Sequence, residues 1–129
     1  MVATVPTRVV DASAVAAILF QEPEGEKVVR QLDGHQLVAS PLLDFELSNV
    51  CLTKLRRHPD RRDELLAGFR WRSRLAIQIR NVDHEAVLAL AEQTVLSFYD
   101  ASYMWLARQL GAVLVTLDRR LAEAAEKFQ

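Results

Sequence analysis

Apolar spacing changes several times along the chain, and each change marks an element. Thr7-Arg-Val-Val-Asp11 is a short apolar run closed by an acid, which predicts a strand. Ala12 to Phe20 is small and apolar enough for a buried helix, stopped by Gln21-Glu-Pro-Glu-Gly25. Glu26 to Leu32 supports a second short helix, Asp33-Gly34 a turn, and Gln36-Leu-Val-Ala39 a second strand. Ser40-Pro41 supplies a serine N-cap and a proline at the first helical position. That helix should run to about Arg57, because Pro59 is incompatible with its continuation. Asp60 to about Arg70 predicts a polar, arginine-rich helix, and the alternation Leu75-Ala-Ile-Gln-Ile-Arg80 a strand. Asp83 caps a helix from His84 to about Gln93. A helix from Ser97 ends at Gly111, the strand Ala112 to Leu117 follows, and Asp118 caps a last helix, Arg119 to Lys127.

Strands alternate with helices, which predicts an α/β fold with a mainly parallel sheet, since parallel strands need helical crossovers. Ligands in such sheets bind beyond the carboxyl ends of the strands, where Asp11 and Asp118 both fall. A length of 129 residues suits one domain spanning 1–129. With 50% hydrophobic and 26% charged residues the chain is globular in type and not disordered. Its apolar runs are too short for a membrane span, and Met1 to Pro6 reads as a short tail with no signal core. Cys51 is the only cysteine, which excludes an internal disulfide and a multi-cysteine zinc site and suggests a cytoplasmic protein.

The formal net charge of −1 advertises no nucleic-acid partner, but the charges are unevenly spread. Between Lys54 and Arg80 the chain carries 9 of its 16 basic residues against only Asp60, Asp63 and Glu64. Arg56, Arg57, Arg61, Arg70, Arg72 and Arg74 in this stretch are candidate RNA contacts; a solvated, salt-bridged helix surface accounts for them equally well.

The acids carry the candidate chemistry. Asp11 and Asp118 precede helices and serve equally as N-caps, and Asp100 follows Ser97 by three residues, as the acid of a capping box does. Glu46 is different. It lies between Phe45 and Leu47 in a helix that reads as apolar almost all round, and at about 100° per residue it shares one stripe with Asn49 and Thr53. A carboxylate buried there needs partners. Asp44 points nearly opposite and reads as exposed. Thr116 is placed to hold a carboxylate by its hydroxyl, or is simply a β-branched strand residue. If Asp11, Glu46, Asp100 and Asp118 converge, their repulsion calls for a cation, and Mg²⁺ or Mn²⁺ suits hard oxygen donors. Such ions hold a phosphodiester, lower the pKa of an attacking water and stabilise the leaving oxygen. His35, His58 and His84 lie away from the acids in sequence, and no zinc spacing, serine or cysteine triad, or glycine-rich phosphate loop is present.

Val-Val-Asp11-Ala-Ser13-Ala, Ser40-Pro-Leu-Leu-Asp-Phe-Glu46-Leu-Ser-Asn49-Val, Leu-Ser-Phe-Tyr-Asp100-Ala and Leu-Val-Thr116-Leu-Asp118-Arg-Arg-Leu resemble the motifs of PIN domains. The resemblance is closest to the VapC-type toxins of type II toxin–antitoxin pairs and covers nearly the whole chain. It implies a three-layer α/β/α fold and a Mg²⁺-dependent ribonuclease, with Mn²⁺ also possible. It implies Asp11, Glu46, Asp100 and Asp118 as the acidic site, with Thr116 and Asn49 as supporting hydrogen-bonders and Ser13 matching a serine near the first acid. It further implies a homodimer silenced by a cognate VapB-type antitoxin. Asp44 departs from the pattern, standing where the family usually has an apolar residue. Two other readings stand beside this one. A receiver-like signalling domain also binds Mg²⁺ at strand ends, but needs an acidic pair after the first strand and a late lysine. A PIN-like module that binds RNA or protein without cutting would be favoured by the loss of an acid, and all four are present.

Overall fold

A computed structural model describes residues 5–128. The elements follow in the order β1 (Thr7–Val10), α1 (Ala12–Leu19), α2 (Gly25–Leu32), β2 (Gln36–Ala39), α3 (Leu43–Arg57), α4 (Arg62–Arg70), β3 (Ile77–Ile79), α5 (His84–Thr94), α6 (Phe98–Leu110), β4 (Val113–Val115) and α7 (Arg119–Lys127). Short 3₁₀ turns at Pro59–Arg61 and Trp71–Arg74 flank α4. Of the tail expected at Met1 to Pro6, residues 1–4 lie outside the described residues.

The four strands form one sheet in the order β3-β2-β1-β4, and every pairing is parallel. Right-handed crossovers dictate the layers. The chain steps from β1 to β2 to β3 in one direction, so α1 to α4 share one face. It then returns past β1 to β4, which puts α5 and α6 on the other, where α6 packs on β1 and β4 and α7 on β4. The expected three-layer α/β/α architecture is what forms. The direction of travel reverses between β1 and β4, so a crevice opens at their carboxyl ends.

The core is built from Val9, Val10, Val15, Val28, Val38 and Leu47, all essentially without exposure. No described helix is long and apolar enough to cross a membrane.

Three local expectations change. The helix expected from Pro41 begins at Leu43: Ser40 is buried and opens a turn, its hydroxyl accepting from the Leu42 amide at 3.3 Å and its carbonyl from Leu43 at 3.1 Å. β3 and β4 are each three residues long, shorter than their apolar runs: both stop where the neighbouring strand ends, and β3 starts only at Ile77 because Leu75 closes the preceding 3₁₀ turn and Ala76 is left-handed at φ 53°. Gly25 is more than a stop. It is buried at the start of α2, and a Cβ there would sit 2.5 Å from the Ala17 carbonyl oxygen, so the α1–α2 approach requires glycine.

Candidate active site

Sheet register builds the first half of the site. Val10 lies level with Val115, so the next residues, Asp11 and Thr116, emerge side by side from adjacent strands. Asp11 is 4% exposed. Its Oδ1 accepts from the Ser13 hydroxyl at 2.7 Å and from the Ala14 amide at 3.1 Å, and Thr116 donates to Oδ2. The Ser13 hydroxyl also accepts from the Leu117 amide at 2.9 Å, and Thr116 Oγ1 from the Asp118 amide at 3.0 Å. Ser13 and Thr116 therefore tie the start of α1 to the end of β4, and hold Asp11 from both oxygens.

Asp118 caps α7, its Oδ1 accepting from the Leu121 amide at 3.1 Å. Asp11 likewise caps α1. Capping fixes each carboxylate by one oxygen and leaves it at the cleft, so the structural and chemical readings of these acids are compatible. Asp100 stands in the first turn of α6, whose Ser97 N-cap accepts from the Asp100 amide at 3.1 Å.

Glu46 comes from α3, and its surroundings correct the expectation of a helix buried all round. Only Leu43, Leu47 and Cys51 of α3 are buried; Phe45, Ser48, Asn49 and Thr53 are exposed. The polar stripe is thus a cleft wall, occupied by Glu46 and Asn49, while the Thr53 hydroxyl turns back to the Asn49 carbonyl. Asp44 is exposed on another side, 3.4 Å from Arg72 Nε, though without the alignment of a hydrogen bond. A residue the sequence reading missed supports Glu46: Tyr103, 1% exposed on α6, donates its hydroxyl to Glu46 Oε1 at 2.7 Å. The signal was available in principle, since a tyrosine three residues after Asp100 shares its helix face and a buried hydroxyl seeks a partner.

Asp11, Ser13, Glu46, Asn49, Asp100 and Asp118 line one open cleft of about 650 Å³. Burial pushes the Asp11 carboxyl above its ordinary value, against the opposing hydrogen bonds from Thr116, Ser13 and Ala14, and the Asp118 charge adds to the rise. Glu46 is also raised, first by burial and then by the charges of Asp11 and Asp100, with the Tyr103 bond opposing. Asp100 is raised by burial and by Asp118 and Asp11, partly offset by Ser97 and Arg120. Among the described residues, no three His, Cys, Asp or Glu side chains are gathered into a preformed metal cage. These carboxylates repel across an open cleft. The cleft suits an ion that keeps part of its water shell and takes a few carboxylate oxygens, as Mg²⁺ does, better than one needing a closed tetrahedral cage.

A pH prediction follows for the metal-free protein. An acid with a raised folded pKa stabilises the fold below its unfolded pKa, and that contribution is lost as pH rises through the folded value. Asp11→Asn removes one such group. Its stability relative to the parent should therefore increase as pH rises above the ordinary value of 3.8. Urea unfolding in EDTA at pH 4.5 and pH 7.5 measures this. A constant or shrinking difference would show that the Asp11 carboxyl is not held in an ionisation-hostile place.

The arginines lie elsewhere. None of Arg56, Arg57, Arg61, Arg70, Arg72 and Arg74 lines the acid cleft. Arg61 pairs with Glu64 at 3.1 Å, Arg72 lies over the Phe69 ring, and Arg74 lies over Trp71. Arg56 and Arg57 are exposed at the far end of α3, about 15 Å along the helix axis from Glu46 at 1.5 Å per residue.

The PIN domain family profile matches residues 8–127. Ribonuclease VapC3 of Pyrobaculum aerophilum is 33% identical over 120 residues, covering 89% of this chain and 92% of that protein. Among solved structures, PAE2754 from Pyrobaculum aerophilum superposes with a TM-score of 0.68 at 26% identity, covering 95% of this chain and 81% of the other. The fold is also that of Mycobacterium tuberculosis VapC20, a sarcin-ricin loop cleaving toxin, with a TM-score of 0.64 at 17% identity over 91% and 94% of the two chains. A receiver-like domain has a five-stranded sheet of order 2-1-3-4-5, unlike the order found here. Strand order, cleft position and these likenesses agree, and the chain belongs to the PIN-domain family, alongside its VapC-type members.

Proposed function

We propose that this protein is a Mg²⁺- or Mn²⁺-dependent endoribonuclease, the toxin of a VapBC-type toxin–antitoxin pair. The observation that carries the reading is the convergence of Asp11, Glu46, Asp100 and Asp118 on one cleft at the sheet's switch point, three of them raised by burial and mutual repulsion. The ribonuclease relative at 33% identity supports the activity and the RNA substrate.

Asp11, Asp100 and Asp118 would hold the ion directly, and Glu46 would complete the set or act through water. When bound, the ion neutralises the cluster, acidifies the attacking water and stabilises the leaving oxygen. The rest is done by the chain. Ser13 and Thr116 fix both oxygens of Asp11, so the carboxylate is pre-organised and not free to rotate. Tyr103 holds Glu46 Oε1 and leaves Oε2 to receive a proton from water. Asn49 adds a neutral hydrogen-bonding side chain to the cleft wall. In-line attack by water breaks the phosphorus–O3′ bond and leaves a 5′-phosphate and a 3′-hydroxyl. A homodimer, a cytoplasmic location and silencing by a VapB-type antitoxin belong to the same reading. So does one PIN domain over 1–129, and the outlying arginines remain candidate contacts for RNA beyond the cleft.

The test is incubation of the antitoxin-free protein with total RNA and Mg²⁺ or Mn²⁺, beside an EDTA control. Cleavage that requires the ion is expected, with ends mapped as 5′-phosphates. Cleavage that survives EDTA would exclude the mechanism.

Tyr103→Phe isolates the Glu46 contact. The ring still fills its buried site, so stability should fall by only about 1 kcal/mol. Activity should drop roughly tenfold. The acid limb of the pH–rate profile should move to higher pH, because Tyr103 is what opposes the rise of the Glu46 carboxyl. An unmoved profile would mean that Glu46 does not handle a proton in the rate-limiting step.

A further inference from the structure

Phe45 and Tyr99 are large aromatic side chains left 77% and 55% exposed. A single exposed aromatic is ordinary. These two come from α3 and α6, far apart in sequence, each directly precedes a candidate acid, and both line the acid cleft. The cleft contains no lysine or arginine among its lining residues. Its carboxylates repel a phosphate chain, and an ion bound there would engage only the phosphate, so affinity for the rest of the nucleotide cannot come from the walls' charge. It needs a neutral source beside the acids, and an exposed π-face offers one.

We propose that Phe45 and Tyr99 are base-stacking residues at the mouth of the cleft, selecting an unpaired RNA segment whose nucleobase stacks beside the phosphate held at the acids. Stacking tolerates any base, because every base has a π-face, whereas a base inside a duplex has both faces covered by its neighbours. The two aromatics thus set strandedness, while sequence preference is left to other contacts. Asn49, one turn beyond Phe45 on α3, is a polar group within the same cleft and can meet a base edge.

This inference rests on the ribonuclease reading, and its test separates the two. Binding of a labelled, unstructured 12-nucleotide RNA is measured with Ca²⁺ in place of Mg²⁺, beside the same RNA in duplex form. The expected result is at least about tenfold preference for the single strand, with Phe45→Ala and Tyr99→Ala each weakening its binding roughly 5- to 100-fold and Phe45→Trp restoring it. An abasic nucleotide at the stacked position should reproduce the loss in the parent and add little in the alanine variants. Both sites are exposed, so melting curves should match the parent. Parent-like affinity in both alanine variants, or equal affinity for duplex, overturns the stacking role. If Mg²⁺-dependent cleavage persists in that case, the ribonuclease reading stands without it. A parent that binds no RNA and cleaves none overturns both. Alanine variants that lose self-association but keep RNA affinity would reassign the two rings to a protein interface and overturn the proposal.

Discussion

Asp11→Asn is expected to lower RNA cleavage at least about a thousandfold, the kinetic equivalent of about 4 kcal/mol, and Asp100→Asn to do the same. Each substitution keeps the side chain's size but removes a charge that the proposed cation would need. Asp11 is the stronger case because the chain has committed three donors, from Ser13, Ala14 and Thr116, to fixing an acid that burial disfavours. An acid kept against such a penalty in a cleft with three other acids is a candidate functional group beyond its capping of α1. The same substitution should leave metal-free stability at neutral pH equal or higher, so lost activity with retained or gained stability is the distinguishing result. Single-turnover cleavage with saturating Mg²⁺ and a urea titration on the same preparation measure both. Full activity in both variants would remove the acids from the mechanism.

Leu47→Ala should cost about 2–5 kcal/mol, a large part of the roughly 5–15 kcal/mol that holds a domain folded. Leu47 has no exposure and anchors α3 in the core, while the adjacent Glu46 looks into the cleft. The loss is therefore expected in two readouts, urea midpoint and activity, because α3 carries the carboxylate on the shoulder of its anchor. Measurements at one protein concentration keep any self-association constant. Asp44→Ala, on the exposed side of the same helix, should stay within about 1 kcal/mol, since its partner Arg72 is a partly exposed ion pair. A Leu47→Ala cost below about 1 kcal/mol would mean that α3 is held elsewhere.

Much of the fold is local in origin and so is legible in the chain. Asp11, Asp83, Ser97 and Asp118 each accept from an amide three residues on, the short-range bond that starts a helix. Gly111 adopts φ 58° at the end of α6 for an equally local reason. The same locality explains the errors. Ser40-Pro41 carries a helix-start signature, yet the backbone turns there first, with Ser40 buried and its hydroxyl and carbonyl taken up by the Leu42 and Leu43 amides. α3 reads as apolar all round since its Phe45, Val50 and Leu52 are hydrophobic, and composition does not distinguish a core face from a cleft wall.

The sequence by itself determined the alternation of elements, the mainly parallel character expected of the sheet and the choice of four candidate acids, because caps, periodicity and motif spacing act over a few residues. Tertiary structure decided what depends on register and approach between distant segments. It set Thr116 against Asp11 through the pairing of Val10 with Val115. It brought Tyr103 to Glu46 across 57 positions and made Gly25 obligatory where α2 meets the Ala17 carbonyl. The arginines show the converse. They cluster in sequence, but neighbours along a chain need not share a surface, and here the cleft is lined by acids and aromatics while the cations face elsewhere.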